Sequence, residues 1–128
     1  MRQEVNVLYR NTAEEFARKV VTGLASGIHS VILHGSVARR QARRGSDIDV
    51  LIVGAEPSLR DAVLDIAYSM MEDLRFETLI NVVYVSLPEL LELALRGSPL
   101  VLNALEEGSV LYDDGTVAQL RQRILARR

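Results

Sequence analysis

"HGSVARRQARRGSDIDVLIV", residues 34–53, decides how the chain is read. The β-branched run "HSVILHG" (29–35) closes on a glycine, and "SDIDVLIVG" (46–54) is a second such run, so each predicts a strand with a turn element between them. Side chains alternate along a strand, so Asp47 and Asp49 project from one face about 7 Å apart. Two carboxylates that close repel. A hard divalent cation, Mg²⁺ or Mn²⁺, is the usual means of offsetting such repulsion, with substrate phosphates and water filling its remaining positions. Gly35 and Ser36 end the first strand, where a glycine lets backbone N–H groups approach an anion and a following helix N-terminus adds its dipole. Arg39, Arg40, Arg43 and Arg44 occupy the connecting segment and can donate forked hydrogen bonds to phosphate oxygens. Phosphate seat, metal ligands and arginines together describe a nucleoside triphosphate site.

Working outward, helix and strand signals alternate without a linker, repeat or low-complexity tract, and the 128 residues are expected to form a single domain. Asn11 and Glu14 have capping-box spacing before Ala13, Phe16, Ala17, Val20, Val21 and Leu24, which predicts a first helix beginning near Asn11 and stopped by Gly27. Leu59, Ala62, Val63, Ile66, Ala67, Met70 and Leu74 mark a second amphipathic helix. "TLINVVYVS" (78–86) is a third strand. Ser86 with Pro88, and Ser98 with Pro99, open two further helices, the latter ending at Gly108. "SVLYDDG" (109–115) is an edge strand with an Asp-Gly turn, and residues 117–128 a terminal helix with Val117, Leu120 and Ile124 on one face. The order predicts an α/β (α+β) fold, a small mixed sheet with helices packed on one face. Met70, Met71, Tyr84 and Tyr112 read as packing residues.

Composition narrows the function. There is no cysteine, which excludes disulfides and thiol chemistry and permits a reducing cytoplasm, the expected location. The net charge is −2 and Lys19 is the sole lysine, so positive charge is local; no nucleic-acid partner is expected. No segment approaches the roughly 20 apolar residues of a membrane span. Homo-oligomerisation is left open.

Gly35-Ser36, ten intervening residues and Asp47-Ile48-Asp49, flanked by Ala38-Arg39 and Ser46, resemble the signature of the minimal nucleotidyltransferases, small members of the DNA polymerase β superfamily. The resemblance implies a palm-like fold, Gly35 and Ser36 on the triphosphate with Arg39 beside them, and Asp47 and Asp49 as catalytic ligands of Mg²⁺. It also implies transfer of AMP from ATP to a hydroxyl, in an antitoxin role toward a HEPN-type partner. Two positions depart from the pattern. Arg40 stands where a glycine often follows the Ala-Arg pair. Asn81 stands where a third metal-binding carboxylate is often found; its amide oxygen can ligate a metal, but it is no base. Glu77, four residues before it, is a poor substitute. The alternative is a catalytically weak nucleotide-binding module that acts by occluding its partner.

Overall fold

Four strands, Ile28–His34 (β1), Ile48–Gly54 (β2), Ile80–Ser86 (β3) and Ser109–Asp113 (β4), form one sheet in the order β3-β2-β1-β4. The computed structural model describes residues 2–126. β1 runs antiparallel to both β2 and β4, and β2 pairs parallel with β3, so the sheet is mixed as the sequence predicts. A parallel pair needs a long crossover, and the helix Arg60–Asp73 (α3) supplies it between β2 and β3. The other helices are Arg2–Leu24 (α1), Gly35–Ala38 (α2), Leu87–Leu95 (α4), Pro99–Glu107 (α5) and Thr116–Ala126 (α6).

Strand alternation divides the apolar residues between two layers. Val31, Leu33, Val50 and Ile52 face α1 and α3, where Ala13, Phe16, Val20, Val63 and Ala67 complete a dry core. Ile32, Leu51, Val53 and Val85 point the other way and are covered by Leu90, Val101, Leu105 and Val117 of α4, α5 and α6. Helices therefore flank both faces rather than one. The reason is in the strands: the centres of β1 (31–33) and β2 (50–53) are continuous apolar runs without a polar alternate, which only a sheet buried on both sides accommodates. Each fully buried Leu, Ile or Phe stabilises the fold by about 1.5–3 kcal/mol.

The first helix starts at Arg2, earlier than its capping signal indicates, and Asn11 lies within it. Asn6 and Tyr9 are buried and carry the apolar stripe back toward residue 5. Both are polar-tipped, which hid the extension. The Ser86 capping box forms as predicted, and Ser98 accepts from the Val101 amide. Met70 and Tyr84 are buried as packing residues. Tyr84 reaches across Gly54, where a Cβ would fall 1.8 Å from its hydroxyl, and donates to the Glu56 carbonyl. The terminal helix is described to Ala126; the last two residues of its predicted span lie outside the described residues.

Asp113 ties that helix to the sheet. Its carboxylate accepts from Ser30 Oγ (2.6 Å) and from the backbone N–H groups of Val117 and Ala118 (3.0 Å each), while Asp114 accepts from Thr116 N (3.0 Å). Burial pushes the Asp113 carboxyl up, but these hydrogen bonds outweigh it and hold the group below its ordinary range. A carboxylate that releases its proton more readily folded than unfolded contributes stability above the unfolded value and loses it as pH falls through the folded one. Asp113→Ala is expected to cost about 2 kcal/mol at neutral pH, from the lost helix cap and a stranded Ser30 hydroxyl. In denaturant titrations the gap between wild type and variant stays constant above about pH 5 and narrows below about pH 4.

Candidate active site

Three neighbouring strands place His34, Asp49 and Asn81 side by side. His34 pairs with Asp49 across the antiparallel β1–β2 ladder, and Asp49 pairs with Asn81 across the parallel β2–β3 ladder. Residues directly opposite share a face, so the three form one row at the end of the sheet, on the side covered by α4, α5 and α6. The Asn81 amide donates from Nδ2 to Asp49 Oδ1 at 3.1 Å. The row is legible in part from the sequence: Asp49 and Asn81 were expected, whereas His34 reads more simply as a residue satisfied by a neighbour. The opposite is found. Its Nε2 is buried and makes no hydrogen bond. Burial depresses the imidazole pKa, Asp49 pulls it up and Arg39 lowers it further, so the net direction is downward and the ring is neutral at pH 7.

Gly35 begins the single turn of α2 directly after the row. It has φ +73°, and a Cβ there would lie 2.2 Å from Asp49 Oδ2. The position therefore excludes side chains twice, by conformation and by contact. The turn closes through Arg39 N to Gly35 O (3.2 Å) and Gln41 N to Ser36 O (2.8 Å), leaving the first amides of α2 without partners inside the helix.

The arginine-rich loop that follows is held from beneath by α1. Asn6 Oδ1 accepts from Ala42 N (2.9 Å) and its Nδ2 donates to Ala42 O (3.4 Å), while Tyr9 Oη accepts from Gly45 N (3.1 Å). Arg43 N donates to Ser46 Oγ, and Ser46 N to Arg43 O, both at 2.9 Å. Arg40 adopts φ +58°, the conformation a glycine tolerates without cost, which explains why its presence at this position departs from the pattern. Arg39, Arg40, Arg43 and Arg44 are exposed and enter no ion pair among the described residues.

A cleft of about 350 Å³ opens over the row. His34, Gly35, Asp49 and Asn81 form its floor, Arg39 its rim, and Leu100, Asn103 and Glu107 of α5 its far wall. Ser36 and Asp47 do not line it. Asp47 is exposed and precedes β2 rather than belonging to it, because the turn through Gly45 occupies the chain until Ile48 N bonds Leu79 O and starts the ladder. Glu77 is exposed before β3 and outside the cleft. A cavity of about 390 Å³ lies between α1 and β4, on the other side of the sheet from the row. Among the described residues no three His, Cys, Asp or Glu side chains cluster as a metal site. The available donors are the carboxylates of Asp47 and Asp49 and the Asn81 amide oxygen, an all-oxygen set that suits Mg²⁺ chemically and leaves most of its positions to water and phosphate. The α5 residues carry little sequence signal; the one sign is Asn103 and Glu107, four apart, in a helix whose only other polar residue is Glu106.

Residues 18–115 match the family described as "Polymerase beta, Nucleotidyltransferase", and the chain belongs to that family. A Methanocaldococcus jannaschii protein, provisionally named the protein adenylyltransferase MJ0604, is 35% identical over 99 residues, spanning 77% of this chain and 93% of its own length. Among solved structures, a toxin–antitoxin complex with AMP-PNP contains a chain superposing with a TM-score of 0.58 at 19% identity, over 89% of this chain and 85% of that one. A nucleotidyltransferase-like chain from Sulfolobus solfataricus gives 0.52 at 17% identity, over 88% and 87%. These likenesses establish the polymerase β-like nucleotidyltransferase fold.

The site's two left-handed residues differ in sign when changed. Gly35→Ala is expected to destabilise by about 1–2 kcal/mol through its backbone alone, and more through displacement of Asp49. Arg40→Gly releases similar strain but costs about 0.5–1 kcal/mol of chain entropy, so a gain of up to about 1 kcal/mol is expected. Chemical denaturation checks both, and an Arg40→Gly protein less stable than wild type would contradict the role given to that backbone.

Proposed function

We propose that the protein transfers a nucleoside monophosphate, AMP from ATP, to a hydroxyl on a HEPN-type partner protein, in the cytoplasm and in an antitoxin role. The observation that carries this reading is the close approach of Gly35 to Asp49: the turn that opens α2 and a carboxylate meet on the floor of one cleft, with Arg39 on its rim. Gly35 and Ser36 would receive phosphate oxygens on the free amides of α2, and Arg39 would hold a further oxygen by its fork of donors. Mg²⁺ or Mn²⁺, held by Asp47 and Asp49 with the Asn81 oxygen, would supply charge neutralisation along the triphosphate. The acceptor oxygen attacks the α-phosphorus in line, the bond to the bridging oxygen breaks, and pyrophosphate leaves. Positioning supplies much of the advantage in such a transfer, and among the described residues no second lobe faces the cleft to position an acceptor, so the partner would do it. The name of the archaeal relative and the AMP-PNP in the toxin–antitoxin complex support the choice of nucleotide and of partner.

A second reading, a weakly catalytic antitoxin that acts by occlusion, draws on Asn81. Its amide donates to Asp49, occupying a carboxylate oxygen and offering no negative charge of its own.

Calorimetry and intact-mass measurement separate the two. Asp47→Asn and Asp49→Asn are expected to leave the domain folded and to weaken Mg²⁺-dependent ATP binding at least about tenfold, the equivalent of about 1.4 kcal/mol. The partner protein should gain the mass of AMP with wild type and not with either variant. A complex without added mass favours occlusion; ATP affinity equal in chelator and in Mg²⁺, and unchanged by both substitutions, rejects the site. Asn81→Asp should tighten metal binding and raise any transfer rate, because a charged oxygen replaces a neutral amide.

A further inference from the structure

We propose that Glu107 is a catalytic residue, the group that takes the proton from the attacking hydroxyl. The inference rests on the reading of the cleft as a transferase site and adds a residue that the row on the sheet cannot provide. Asp49 is engaged by the Asn81 amide and crowded by Gly35, Asn81 is neutral, and Asp47 is outside the lining. His34 does line the cleft, but its Nε2 is buried, whereas the Glu107 side chain is exposed. Apart from Asp49, the one carboxylate among the residues described as lining the cleft is Glu107, exposed on the opposite wall.

Its position is both costly and firmly held. Glu107 is the last residue of α5, where the helix dipole disfavours a negative charge, and it is in no ion pair among the described residues. An unpaired carboxylate also repels a triphosphate in the same cleft. Yet the backbone carrying it is locked: a Cβ on the next residue, Gly108, would lie 2.3 Å from Ala104 O and 2.5 Å from Ile32 Cγ2, so the helix end is pressed onto β1. Arg121 donates to the Leu105 carbonyl and, at 2.7 Å, to the Gly108 carbonyl, fastening the same turn from α6. A carboxylate carried on a firmly held backbone and lining the cleft across from Asp49 is placed as a general base needs. In the step assigned to it, the acceptor O–H bond breaks toward a Glu107 oxygen, the acceptor oxygen bonds the α-phosphorus, and the bridging P–O bond breaks with its electron pair going to pyrophosphate.

Glu107→Gln tests this, with AMP transfer to the partner protein, ATP affinity and thermal stability measured on the same preparations. The expected result is a transfer rate lower by about 100-fold or more, ATP bound as tightly as by wild type or more tightly, and a melting temperature unchanged or higher. A variant that transfers within about threefold of wild type overturns the inference, as does a parallel loss of ATP affinity, which would make Glu107 a binding group. If wild type binds ATP but transfers nothing, the transferase reading falls and this inference with it. If wild type transfers and the variant keeps pace, only the assignment of Glu107 falls.

Discussion

The missing side chain of Gly35 is the constraint on which the rest of the site depends. A methyl group there would lie 2.2 Å from the Asp49 carboxylate, so the turn that opens α2 and the strand that carries Asp49 can meet only around a glycine. That approach fixes where β1 must end, since His34 is the ladder partner of Asp49 and Gly35 follows it in the left-handed conformation. It also fixes the direction of the loop beyond. The chain leaves the sheet, makes one helical turn, passes over α1 and returns at Ile48 beside the place it left.

The strand-turn-strand arrangement was legible in the sequence because glycine, β-branched runs and capping serines each have a local physical preference that the tertiary structure had no reason to override. Ser86 and Ser98 cap their helices as read, and Asn81, singled out through the family resemblance, lies opposite Asp49 on β3. What was hidden depended on three dimensions. The start of α1 was obscured because Asn6 and Tyr9 are buried for their hydrogen bonds to a loop 36 residues away, a reason that no helical periodicity expresses. The far wall of the cleft was obscured because α5 reaches the site by packing across the sheet; nothing in "PLVLNALEE" states which face of that helix meets β1. Helices on a single face proved too few for strands apolar on both.

Asn81 and Arg40, the two departures from the pattern, have different physical consequences. Arg40 takes on a backbone conformation that favours glycine and adds an exposed guanidinium to the loop, a local strain in exchange for charge. Asn81 keeps the size of an aspartate and its ladder position but reverses the interaction with Asp49, from repulsion between carboxylates to a hydrogen bond. The row is therefore quieter electrostatically than two acids would make it, and the neutral imidazole of His34 at its other end has the same effect. The cleft's carboxylates are thus divided between the floor, at Asp49, and the α5 wall, at Glu107.

The two-layered core has a consequence for how such a protein can change over generations. The layer beneath α1 and α3 supports the loop and, through Asn6, its geometry; the layer beneath α4, α5 and α6 supports the wall. Because the sheet separates them, substitutions that reshape α4 and α5 leave the apolar contacts under the arginine loop untouched. Descendants of this chain are thus free to repack the layer beneath α4, α5 and α6, and with it the far wall of the cleft, while inheriting the packing under the loop intact.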